Sequence, residues 1–233
     1  MHPTGAAAAF CDTEGVRPPA LIRFWRPAAV ALLIATRPWV PALAVEMTLQ
    51  NDSFTGVGDL ACIPGFAVEE IGAARFTAPP GSHPFTVERI QVLLCPDGPP
   101  VDLVVKIWRD DGSSLPPGTL LWEEIVTFTP LTYYFNELDL SLDDVTIESG
   151  SVRIGIEFFF AGSPPGLARD LDGITPAMNF VYAIPPGSWY FAEQLGVSGD
   201  WILRVVIDAN EAAPVFADGF ESGDTGAWSA TVP

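Results

Sequence analysis

Two aspartates separated by one residue and followed by glycine, in "RDLDGIT" (Asp170, Asp172, Gly173), have the spacing in this chain best suited to metal chemistry. Calcium takes six to eight oxygens, drawn from carboxylates and backbone carbonyls on loops. Such a run can open an oxygen-rich loop, so Asp170 and Asp172 are the expected calcium ligands. "DANE" (208–211) and "DGFESGD" (218–224) have a similar flavour. None completes the twelve-residue EF-hand pattern, and the commoner use of such a run is an acidic turn without metal.

Aromatic side chains supply the second chemistry. Trp108 has the outward parity of Lys106 in "VDLVVKIWR", and "GSWYF" puts Trp189 and Tyr190 beside a Pro-Gly turn. Exposed rings in these places would stack on sugars, so Trp108, Trp189 and Tyr190 are the expected ligand platform; rings covered by a loop are the competing use.

Catalytic constellations are sparse. Beyond residue 44 the chain has one histidine, His83, in the loop "PPGSHPF", and no serine lies in a G-x-S-x-G elbow. Histidine-based zinc sites need at least two imidazoles or thiolates. H-E-x-x-H, P-loop and G-x-G-x-x-G motifs are absent, and Lys106 is the only lysine. Carboxylates are abundant, and glycoside hydrolysis needs two of them facing one sugar. The adjacent pairs Asp110-Asp111, Glu123-Glu124 and Asp143-Asp144 would point to opposite faces if they lie on strands. A carboxylate-dependent hydrolase is therefore the alternative, resting on groups that converge from distant strands.

The elements that must position these groups read as strands. Val101, Leu103, Val105 and Ile107 alternate with Asp102, Lys106 and Trp108. Val152, Ile154, Ile156 and Phe158 alternate with Arg153, Gly155 and Glu157, and Trp201, Leu203, Val205 and Ile207 with Ile202, Arg204, Val206 and Asp208. A period of two filled by β-branched and aromatic residues marks a strand. Weaker candidates are Ala73–Thr77, Phe85–Leu94, Thr119–Phe128, Thr132–Leu140, Met178–Ile184 and Ser188–Ala192. Clusters such as "CPDGPP", "DDGSSLPPG", "AGSPPG" and "AIPPGSW" separate them, because proline leaves central strands and glycine supplies positive φ. The expected fold is all-β: an antiparallel sandwich, jelly-roll-like, of eight or nine strands over residues 45–209.

The segments "ARFTAPPGSHPFTVERIQVLL", "VVKIWRDDGSSLPPGTLLW", "SGSVRIGIEF" and "GSWYFAEQLGVSGDWILRVVID" resemble an accessory β-sandwich domain of secreted bacterial proteins. In that family a strand pair brackets a "G…PG…L" turn and the last strand reads "W(M/L/I)IR". The resemblance spans roughly residues 70–208 and implies fold and export; such domains often accompany proteases or polysaccharide-acting modules.

Export is also legible at the N-terminus. Arg23 and Arg26 precede "PAAVALLIATRPWVPALA", which ends Ala42-Leu43-Ala44. A basic region, an apolar run and an A-x-A end make a secretory signal peptide, with cleavage expected after Ala44. The run Ala28–Thr36 falls far short of the ~20 residues of a spanning helix. Without residues 1–44, seven basic and 27 acidic residues remain, a net charge of about −20. Such a surface repels nucleic acid and anionic lipid. Cys62 and Cys95 are the remaining cysteines, and one disulfide between them is expected in an exported protein. Residues 210–233 read as a linker and acidic tail. "DGFESGDTGAW" looks like a short C-terminal tail of exported bacterial proteins, with a sorting or surface-retention role. The same residues also resemble the first strand of concanavalin-like domains, with too few following to make one. Taken together the chain reads as a secreted or surface-attached, non-catalytic module for an extracellular polysaccharide or a surface protein, assisted by calcium.

Overall fold

A computed structural model describes residues 44–112, 115–159 and 165–210. The expected export segment, Ala44 excepted, and the linker and tail, Asn210 excepted, lie outside the described residues. Ala44 is the first residue of a strand and pairs with Asn210, so cleavage after it would leave that strand starting at Val45.

The described residues form 14 strands and one 3-10 turn at Ala192–Leu195. In chain order the strands are β1 Ala44–Gln50, β2 Ala61–Ile63, β3 Ile71–Phe76, β4 Phe85–Val92, β5 Leu94–Cys95, β6 Val101–Asp110, β7 Thr119–Phe128, β8 Asn136–Asp139, β9 Thr146–Ile147, β10 Ser151–Phe158, β11 Gly166–Arg169, β12 Asn179–Ala183, β13 Ser188–Phe191 and β14 Leu203–Asn210. One sheet runs β1-β14-β4-β8, with β9 also on β4; a second runs β13-β12-β3-β10-β6-β7; a short third runs β2-β11-β5. Every pairing is antiparallel.

The core lies between the two large sheets. Leu103, Val105 and Ile107 of β6 and Ile154, Ile156 and Phe158 of β10 meet Ile90 and Val92 of β4 and Leu203, Val205 and Ile207 of β14, all fully buried. Burying each such side chain contributes roughly 1.5–3 kcal/mol. Period-two spacing puts them on one face, as the sequence predicts. In "FTVERIQV" the inward residues switch from Phe85 and Val87 to Ile90 and Val92. The register along β14 slips there: Ile207 pairs with Val87 and Val206 with Arg89, so Glu88 bulges out and its carbonyl accepts the Leu140 N–H.

The sandwich expectation holds, with more strands than eight or nine. The extra ones are β1, a seven-residue strand that the sequence reading did not pick out, and the two- to four-residue strands β2, β5, β9 and β11, too short to carry a period. Phe85–Leu94 is also interrupted at Leu93, whose N–H turns to the Ile202 carbonyl. Thr132–Leu140 is extended only from Asn136.

Cys62 and Cys95 form the expected disulfide, with Cα atoms 5.5 Å apart, and it ties β2 to β5 across β11. It closes a 33-residue separation, which in the chain-entropy picture stabilises by about 4 kcal/mol. Reduction under native conditions should lower the free energy of urea unfolding by that amount and raise the m-value, because the reduced unfolded chain is more open; an unchanged midpoint would show that the bond adds nothing.

Candidate functional site

The acidic corner is built by three chain crossings. β1 ends at Gln50, and Asp52 caps the turn that follows, its Oδ1 accepting the Phe54 N–H at 3.1 Å. Arg204, on β14, donates to both oxygens of that carboxylate, from Nε at 3.1 Å and Nη2 at 2.5 Å, and also to the Phe54 carbonyl. This fixes Ser53 above the end of β11. There Asp170 is buried; its Oδ2 accepts the Ser53 N–H at 2.9 Å and its Oδ1 the Asp200 N–H at 2.8 Å. Asp200, also buried, accepts from Thr175 N at 2.9 Å, from Thr175 Oγ1 at 2.7 Å and from Asn179 Nδ2, while Asn179 Oδ1 accepts the Trp201 backbone N–H at 3.0 Å. Gly199 allows the approach, because an added Cβ there would strike the Asp170 carbonyl oxygen.

Asp170 and Asp172 therefore do converge. Burial holds the Asp170 carboxyl above its ordinary value, opposed by the N–H groups of Ser53 and Asp200 and reinforced by the neighbouring charge of Asp172. Asp172 is exposed and held below its ordinary value, first by a hydrogen bond from the Ser53 side chain and also by one with Asp170. Ser53, Asp59, Asp170 and Asp172 line one open depression of about 270 Å³ together with Phe54 and Val57. Among the described residues no three His, Cys, Asp or Glu side chains stand close enough to cage a metal. A calcium ion here would take two carboxylates, the remaining ligands being hydroxyl, carbonyl or water oxygens.

Sequence reasoning missed the aromatic side of this corner. Phe54, in the wall of the depression, stacks on Tyr133 with centroids 6.3 Å apart and planes inclined at 24°, and meets Phe135 edge-on. Tyr133 is 48% exposed and Tyr134 69%. Both belong to the loop before β8, and Tyr133 has a left-handed backbone (φ 72°). Placing them in a strand from Thr132 hid them; the doublet "TYY" after a proline was the available signal.

The expected platform is differently placed. Trp108 does point to the outer face of its sheet, but it is 6% exposed and so offers no ring face to a sugar. Gly155, on the neighbouring strand, leaves the space its ring occupies, since an added Cβ would come within 2.7 Å of it. Trp189 packs edge-to-face against it at 5.9 Å and is half-buried. Tyr190 is half-buried too, and its register with Val181 puts it on the opposite face from Trp189, which pairs with Tyr182. Trp108, Trp189 and Tyr190 thus form no common surface.

Under this aromatic cover lies a buried ion cluster. Asp110 Oδ2 accepts from Arg153 Nε at 2.5 Å and Arg75 Nε at 3.2 Å, and Arg153 also donates to the Leu115 carbonyl at 2.6 Å. Both guanidinium groups lie over the Phe180 ring, at 3.7 Å and 4.8 Å. Burial pushes the Arg153 pKa down to about 10, against the pull of Asp110, so it stays charged at neutral pH.

The other chemistry-bearing residues are spent structurally. His83 Nε2 lies 2.9 Å from the Gly150 carbonyl oxygen; a carbonyl only accepts, so that nitrogen carries the proton and is no base. Lys106 bridges Glu123 at 2.8 Å and Glu157 at 3.0 Å. Glu123 and Glu124 pair with Lys106 and Val105, on opposite faces, as expected. Asp143 accepts the Trp122 indole N–H at 3.2 Å. No family model, curated protein or solved structure matches this chain.

Proposed function

We propose that this chain is an exported, non-catalytic β-sandwich module that binds an extracellular polysaccharide at the corner formed by Tyr133, Tyr134, Asp170 and Asp172, with calcium between the carboxylates. The observation that carries this reading is the contact between the two halves of the corner: Phe54 lines the acidic depression and stacks on exposed Tyr133. Sugar rings need an apolar face to stack on and oxygens to bind their hydroxyls, and the corner offers both within one surface. A divalent cation would also relieve the repulsion between Asp170 and Asp172. The buried carboxylates support a non-catalytic role, because Asp52, Asp110 and Asp200 are committed to arginines or N–H donors.

The test is retention of the exported protein on a panel of immobilised polysaccharides, in calcium and in EDTA. Retention on one polymer is expected, weakened by EDTA and cut about fivefold to tenfold in Tyr134→Ala, the loss of one stacking contact of about 1 kcal/mol. Protons compete with the cation for Asp170. Its carboxyl is held up by burial, so the calcium effect should fade on acidification before the ordinary carboxylate range is reached. Retention that ignores both EDTA and Tyr134→Ala would remove this site from the proposal. The same panel reads the alternative. A raised Asp170 beside a lowered Asp172 is the separation seen in acid–base pairs, and release of reducing ends from a polymer, lost in Asp172→Asn, would establish a hydrolase instead.

A further inference from the structure

On the other side of Trp201 an apolar cleft of about 200 Å³ opens between the Ile63–Phe66 segment and the turn at Leu195–Val197. It would hold one ring or a short branched chain and little more. Phe66 forms a wall, fixed by stacking on Phe158 with centroids 4.3 Å apart and planes inclined at 9°, and its ring lies 6.1 Å from Trp201. Val181 and Val197 continue the apolar lining. Glu70 lies at the cleft, and both its oxygens are engaged, one by the Ala67 N–H at 2.7 Å and one by the Ile184 N–H at 2.8 Å. The carboxylate thereby braces the β2–β3 loop and the end of β12 as two sides of one opening.

Trp201 lines this cleft, is fully buried, and its indole N–H has no hydrogen-bond partner. A buried tryptophan N–H nearly always finds an acceptor, because leaving it unpaired costs the desolvation of the group. Packing holds the ring in place, since Trp201 is fully buried in the core, and its backbone is pinned by Asn179 and by the bridge to Arg169. The wall least held by packing is the mouth, where Leu195 is 47% exposed and Gly196 follows in the left-handed region.

We infer that this cleft is a second binding site, for a small uncharged molecule with an apolar body and one hydrogen-bond acceptor, which the Trp201 indole N–H engages. Apolar walls disfavour a charged body. An anion is opposed further by Glu70 and by the protein's net charge of −18. The cleft is distinct from the polysaccharide corner in that it shares none of its lining residues with the depression around Asp170.

Three matched probes test it on the full chain labelled with 15N-tryptophan: methyl benzoate has the ring and a carbonyl acceptor, toluene the ring alone, and benzoate the ring with a negative charge. Methyl benzoate should move one indole N–H resonance, the one missing from Trp201→Phe. It should bind about tenfold more tightly than toluene, the worth of one hydrogen bond, with benzoate weakest. Trp201→Phe should bring methyl benzoate to the affinity of toluene. Val197→Trp, which fills the cleft and keeps Trp201, should abolish binding of both. The probe comparison needs no variant, so a substitution that fails to fold leaves the test intact. Equal affinities for toluene and methyl benzoate in the unaltered protein would overturn the inference. So would an indole spectrum that stays still at saturating methyl benzoate, or binding unchanged in both variants.

Discussion

Asp110→Ala is expected to destabilise the protein by roughly 3–5 kcal/mol, the range seen when one partner of a buried ion pair is removed. Asp110 is fully buried and accepts from Arg153 and Arg75, whose guanidinium groups are themselves buried. Without the carboxylate the two guanidinium groups over the Phe180 ring lose their shared buried counter-ion, and Asp111 remains as the acid acting on Arg153. The π cloud attracts each of them but does not replace a counter-ion; such contacts are worth about 0.5–2 kcal/mol. Urea unfolding followed by tryptophan fluorescence measures the loss. Asp110→Asn tests the cause: it keeps an acceptor oxygen near Arg153 and lacks the charge. A small loss in Asn and a large one in Ala would assign the stability to hydrogen bonding, whereas similar large losses would assign it to charge. A loss below about 1 kcal/mol in both variants would mean that the arginines find water or another acceptor, contrary to the buried-pair expectation.

Asp200→Ala should cost about 4 kcal/mol and act on the acidic corner as well. Its carboxylate is the acceptor for three donors, Thr175 N–H, Thr175 Oγ1 and Asn179 Nδ2. Each donor left unpaired in a buried place costs about 1–3 kcal/mol, and the three share one site, so their costs do not add fully. Asn179 then loses the contact that orients its amide oxygen toward the Trp201 N–H. The Asp200 N–H is one of the two backbone donors that hold the Asp170 carboxylate. The variant is thus expected to be less stable and, when folded, to respond less to calcium. Thermal unfolding in calcium and in EDTA gives both numbers. An Asp200→Ala protein whose calcium response equals that of the parent would separate the Asp200 network from the corner.

The two variants probe residues of unequal legibility. Asp170 and Asp172 can be picked from the sequence because the signal is local: two acids and a glycine within one loop. The Asp110 cluster cannot, since Arg75, Asp110 and Arg153 belong to three strands that become neighbours only through the order β3-β10-β6. Parity marks Arg153 as outward-facing, and outward usually means exposed. In this protein a second aromatic layer covers that face, and parity along one strand carries no information about what another strand lays on top of it.

Trp108 shows the same limit from the other direction. Its side of the sheet is correctly read from the alternation of Leu103, Val105 and Ile107, yet its burial depends on Gly155 and Trp189, each 47 or more residues away in the chain. Tyr133 and Tyr134 fail for a local reason, because aromatic residues in a row favour a strand on propensity alone, whereas a left-handed residue at position 133 ends any extended run.

By itself the sequence determined the strand-rich character, the inward faces of β6, β10 and β14, the turns and the cysteine pair. These follow from period, proline and glycine chemistry and simple counting, all of which act over a few residues. Only the tertiary structure decided the sheet order and the short connecting strands. It also decided the covering of Trp108 and Arg153, and it brought Phe54, Tyr133, Asp170 and Asp200 to one corner. Each of these is a contact between segments far apart in the chain, set by which sheets pack together and which loops cross their ends, and a local pattern does not encode it.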